Sequence, residues 1–192
     1  MIIPYIVAIF SILIWLFPPV RQYKTEYFLF FLILAVADPV MLLLTKFLLF
    51  QVTRTNLIIT YLLILSLLNR NRVKKNWIIA LIFLLVLLTA AIDLTLEDVY
   101  RIKIILSSII LFIILKDSLL DFNKKHTIQL FYLVFILYEI TIIIKFIFAA
   151  TRTHTGTVYF YTTGFFEIFI GLFFCFFNKK NSPSFKLIKE PI

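Results

Sequence analysis

The chain alternates long apolar runs with short polar gaps, and seven runs can be drawn, at 2–20, 27–50, 52–68, 77–96, 102–115, 127–148 and 158–177. Runs of this length with few interior charges predict helices that cross a bilayer, which takes about 17–25 residues per crossing. The third and fifth runs have the shortest uninterrupted apolar cores. Arg54, Arg101 and Lys103 are therefore expected to stretch their aliphatic stems from those helix ends toward the membrane surface.

Charge then orients the bundle. Arg21 and Lys24 follow the first run, Arg70, Arg72, Lys74 and Lys75 the third, Lys116, Lys124 and Lys125 the fifth, and Lys179, Lys180, Lys186 and Lys189 the last. Thirteen of the nineteen Lys and Arg residues thus sit in alternate gaps. Cytoplasmic loops collect such residues, which predicts an amino terminus outside and a carboxyl terminus in the cytoplasm. The first run has no basic segment before it and no small-residue cleavage site after it. Pro18, Pro19 and Arg21 read as a helix stop and an anchor, so this run is expected to remain as the first helix.

The expected fold is all-α: a polytopic membrane protein with a single domain of seven transmembrane helices over 1–177, followed by a short basic cytoplasmic tail, 178–192, unfolded near the headgroups. Composition agrees, because a chain of 192 residues that is 62% hydrophobic lacks the polar surface to cover a water-soluble domain. The net charge of +9 is dispersed over short loops, so the partner it implies is the lipid bilayer and not nucleic acid. Abundant Phe, Ile, Lys and Asn beside three Gly fit an AT-rich bacterial genome, hence a multi-pass protein of the inner membrane. Cys175 stands alone, which excludes a disulfide within the chain and a cysteine metal site.

Known chemistries find little to work with. The first three runs do not overlay on the last three, as an internally repeated carrier would require. The last run holds no Lys for a retinal Schiff base, and His126 and His154 fall at opposite membrane faces, which argues against a zinc hydrolase. No protease motif built on Ser or a Gly-Asp pair occurs. No catalytic residue, metal or cofactor is expected, and the reading is non-enzymatic.

What remains is a set of carboxylic acids inside the apolar runs. Asp38, Glu139 and Glu167 lie ten to twelve residues from the cytoplasmic ends of their helices, a common depth at about 1.5 Å per residue. A charge there costs about 2.5–3.5 kcal/mol on insertion scales, so such residues face a bundle interior or a wet cavity. They are the expected ligand- or proton-binding groups. Gly164 and Gly171 flank Glu167 on one helical stripe, where a neighbouring helix can approach closely, while Phe165, Phe169 and Phe173 are expected to face lipid. Asp38 lies on a small-residue stripe with Ala35 and Thr45, and Pro39 frees a carbonyl beside it. Tyr138, Lys145, Arg152, His154, Tyr159 and Tyr161 complete a pocket and outer rim suited to an anionic or zwitterionic solute; an aromatic belt with snorkelling lysines gives the same pattern. Asp93, Glu97, Asp98, Arg101 and Lys103 alternate in sign and read as a solvated external turn without a role.

Three functions suit this pattern. The favoured one is a sensor or membrane subunit that binds a small molecule between the second, sixth and seventh helices and acts on a cytoplasmic protein partner or as a homo-oligomer. The basic loop 69–76, foremost a topological anchor, would dock that partner. A proton-coupled small-solute transporter is the first alternative, and a pore-forming effector is the second.

Overall fold

The computed structural model describes residues 2–48, 52–68, 94–151 and 156–186. They are mostly helical: α1 (Ile2–Trp15), α2 (Pro18–Gln22), α3 (Phe28–Leu48), α4 (Val52–Leu68), α5 (Leu96–Lys125), α6 (Leu130–Ala150) and α7 (Gly156–Phe176). Two short strands, β1 (Thr127–Gln129) and β2 (Ser184–Lys186), pair antiparallel. Among the described helices, α6 alone is long and apolar enough to cross a membrane by length and composition. Shorter apolar segments are Ile9–Gln22, Phe28–Leu44, Thr55–Leu68 and Thr162–Phe176. The run expected at 77–96 lies outside the described residues except for its last three.

Two elements differ from expectation at their ends. The run at 102–115 is the middle of α5, a helix of 30 residues. Charges interrupt the hydropathy on both sides without interrupting the helix. At its start Thr95 and Asp98 form a reciprocal capping box, and at its end His126 takes a left-handed conformation (φ 51°) and returns its N–H to the Phe122 carbonyl. Glu97 and Asp98 are therefore the first helical turn and not part of a loose external turn. Likewise Pro18 and Pro19 open α2 instead of ending the chain's helical course, because proline suits the first helical positions, whose N–H groups lack partners anyway.

The core is aromatic and sits toward one end of the bundle. Tyr27, Phe30 and Phe31 at the head of α3 meet Phe131 and Phe135 from α6 and Phe174 from α7, all essentially inaccessible. Ring centroids are 4.7 Å apart for Phe31 and Phe174 and 4.9 Å for Phe30 and Phe135. Trp15 of α1 extends this layer, 5.0 Å from Tyr138 and 6.3 Å from Phe174. Phe165 and Phe169 are exposed as expected, but Phe173 is partly buried against the core.

The tail departs from its expectation as an unfolded segment, at least through Lys186. β2 pairs with β1 in the register Thr127 with Lys186, Ile128 with Phe185 and Gln129 with Ser184. The physical reason lies at the start of α6, whose N-cap Gln129 makes no side-chain cap. The tail supplies the missing acceptors: the Leu130 N–H donates to the Pro183 carbonyl (2.9 Å) and the Phe131 N–H to Ser182 Oγ (2.8 Å). Lys179 donates to Glu26 (2.6 Å) and lies 2.9 Å from Asp121. Burial alone would push the Asp121 carboxyl up, but hydrogen bonds from Lys179 and Tyr132 and the nearby Lys charges hold it below its ordinary value. Burial alone would likewise lower Lys179, but its hydrogen bonds to Glu26 and Asp121 raise it. The opposite helix end is served from α2, where Arg21 Nε and Gln22 Nε2 donate to the carbonyls of Phe176 and Phe177 at 3.0 and 2.9 Å.

Candidate functional site

One or two helical turns from the aromatic layer, each long helix contributes polar groups to the same level. Counting along the chain, Asp38 follows Phe31 by two turns, Glu139 follows Phe135 by one, and Glu167 precedes Phe174 by two. From α5, Lys103 and Ser107 reach the same level above the buried Ile110 and Ile114. These side chains wall a cavity of about 400 Å³, closed on the core side by Trp15 and Tyr138. A smaller recess of about 280 Å³ shares Ser11, Asp38, Lys145 and Glu167 with it and extends past Val7, Thr163 and Gly164.

The charged groups fall into two sets. Glu167 is paired: Lys145 Nζ donates to its Oε1 at 2.9 Å, joining α6 to α7. Lys103 Nζ donates to Asn56 Oδ1 at 2.8 Å and lies 4.2 Å from the centre of the Phe146 ring. By contrast, Glu139 is 3% exposed and makes no hydrogen bond among the described residues. Asp38 also makes none among them; it lines both cavities from an exposed position at their junction. A buried carboxyl group without a partner is costly unless it holds a proton or meets a water or a ligand.

Of the residues singled out from sequence, Asp38, Glu139, Glu167, Tyr138 and Lys145 come together on the cavity wall, and Gly164 lines the adjoining recess. Lys145 is not at an outer rim but turned onto Glu167, because an ion pair inside the fold satisfies both groups. Gly171 is not in the cavity. A side chain there would strike Ile14 Cγ2 at 2.8 Å and Trp15 at 3.3 Å, and one at Gly164 would meet Val7 Cγ1 at 3.2 Å. Both glycines let α1 lie close against α7. Arg152 and His154 lie outside the described residues, as do the side chains of Tyr159 and Tyr161. The residue that sequence reasoning missed is Lys103, grouped with an external turn. Its position seven residues inside a capped helix was the available signal. Asn56, facing it from α4, carried none.

Among the described residues no group of three His, Cys, Asp or Glu side chains is arranged to hold a metal ion. The chain matches no family model, and neither a curated protein nor a solved structure is similar to it.

Proposed function

We propose that this chain is a non-enzymatic, multi-pass protein of the bacterial inner membrane, a bundle of seven spans with its amino terminus outside and its carboxyl terminus in the cytoplasm. It binds a small solute in the cavity and passes occupancy to a cytoplasmic partner. The observation that carries this reading is the contrast between skin and interior. Phe10, Ile105, Phe112, Leu119 and Phe169 are each more than half exposed, whereas three carboxyl groups and two amines gather around a cavity of about 400 Å³ between the helices. An apolar exterior over a polar interior suits lipid as solvent. The aromatic layer beneath the cavity favours a binding site over an open conduit, which weighs against a pore.

Proton-coupled transport is the second reading. It is favoured by the Lys145–Glu167 pair beside Asp38: with a proton on Asp38, a shift of Lys145 from Glu167 to Asp38 would pass that proton to Glu167. A thermal-shift screen of small solutes on the purified protein tests the main reading, because a bound solute stabilises the fold in proportion to RT ln(1 + [L]/Kd). A stabilisation that grows with the logarithm of solute concentration above Kd and is reduced by Asp38→Asn is expected. Ion conductance in liposomes without any solute would instead establish the pore.

A further inference from the structure

The arrangement of charge in the cavity says which solute it lacks. Both ammonium groups on its wall are already engaged, Lys145 by Glu167 at 2.9 Å and Lys103 by Asn56 at 2.8 Å. Two carboxyl groups, Asp38 and Glu139, are left without a hydrogen bond among the described residues, and Glu139 is almost wholly removed from solvent. Beside them stand Trp15 and Tyr138, tilted at 43° with centroids 5.0 Å apart, which close the cavity on its core side.

We propose that the cavity takes a small organic amine in its protonated form, the ammonium group donating to Glu139 and Asp38 against the aromatic wall of Trp15 and Tyr138. This rests on the solute-binding reading given above and names its substrate class. The physical argument is one of balance. Among the described residues the cavity wall carries three carboxyl groups against two amines, so with all of them ionised one negative charge is left over, which either a proton or a ligand bearing one positive charge neutralises. An anion would add a fourth negative charge in a medium of low dielectric, where unpaired charge is most costly. A divalent metal would need several acidic or imidazole ligands converging on one point, which the described residues do not provide. Aromatic faces complete the match, since an ammonium group is attracted to the ring face of Trp and Tyr when both are shielded from water. A volume of about 400 Å³ holds on the order of a dozen non-hydrogen atoms, taking each at roughly the volume of a water molecule.

Four probes that share a phenylethyl skeleton separate the head groups: 2-phenylethylamine, phenylalanine, 2-phenylethanol and 3-phenylpropionate, each titrated against the purified full-length protein at pH 7 with melting temperature as the readout. A stabilisation by 2-phenylethylamine that grows with the logarithm of its concentration above Kd is expected, with little or none from the alcohol and the anion. Glu139→Gln should weaken it at least tenfold. Asp38→Asn at the more exposed position serves the same purpose if the first variant folds poorly, while Glu26→Gln at the far end of the bundle should leave it unchanged. Equal or greater stabilisation by the anion or the alcohol overturns the amine and leaves the solute site standing. Stabilisation by phenylalanine alone overturns it in favour of a zwitterion. If none of the four acts, the amine falls, and a water-soluble thiol reagent on Ser11→Cys and Ser107→Cys in a Cys175→Ala background decides the wider reading. Labelling keeps a wet cavity open to solutes, and its absence removes the solute site as well.

Discussion

Lys103 and Asn56 meet across α5 and α4 at 2.8 Å, and the same ammonium group lies over Phe146 of α6. One side chain thereby fastens three helices at the cavity wall. Asn56→Ala leaves this charge without its acceptor and should destabilise the fold by about 1–2 kcal/mol, as hydrogen bonds to charged groups do when partly shielded. Lys103→Met should cost a similar amount, and the double variant less than the two together. A double-mutant cycle on melting temperature measures the difference. Additive losses would mean that the two residues do not communicate.

The contact between α1 and α7 depends on hydrogen at Gly171. Gly171→Ala places a methyl group 2.8 Å from Ile14 Cγ2, and overpacking of this kind costs about 1–3 kcal/mol. Gly164→Ala, at 3.2 Å from Val7 Cγ1, should cost less. Ile14→Ala removes the clashing Cγ2, so it should cost less in the Gly171→Ala background than on its own, which thermal unfolding would show directly.

Docking of the tail should be insensitive to pH near neutrality and fail in acid. The Asp121 carboxyl lies below its ordinary value of 3.8, so its stabilisation is full above that value and vanishes as pH falls through the lower, folded one. Lys179 lies above 10.5, so its contribution is full below that value and disappears only in strong alkali. Amide exchange at Leu130 and Phe131, corrected for intrinsic rate, should stay constant from pH 5 to 9 and rise below about pH 4. Lys179→Met should raise it about 5- to 30-fold at pH 7, equivalent to roughly 1–2 kcal/mol for a partly exposed network.

The proposed topology is testable by position. A reporter active only in the cytoplasm should work when fused after Lys75 or after Ile192 and be silent after Thr155. Equal activity after Thr155 and Ile192 would mean an error in the number of crossings.

Much of this architecture can be read from the sequence because hydropathy and helix rise are local. The common level of Asp38, Glu139 and Glu167 follows from spacing alone, and so does the close approach allowed by Gly164 and Gly171. The reading weakens where polar groups find partners far along the chain. Lys103 looks external until Asn56 is known to face it, and Lys145 looks like a rim residue until Glu167 is seen 2.9 Å away. The tail carries the composition of an unfolded segment, yet Ser182 and Pro183 are the acceptors that α6 lacks at its start. Hydropathy also understates α5, whose two ends are set by a capping box and a left-handed histidine and not by apolar residues.

The close seating of α1 on α7 bears on the order of assembly in the cell. Helix α1 finds its principal neighbour in α7, which follows only after on the order of ten seconds of synthesis at about 5–20 residues per second. Throughout that interval the face of α1 that includes Val7, Ile14 and Trp15 is without the helix that covers it, and in the proposed membrane it would rest against lipid. A chain truncated before Gly156 would keep that face open and present it to quality-control proteases, so the lifetime of the product depends on translation reaching α7.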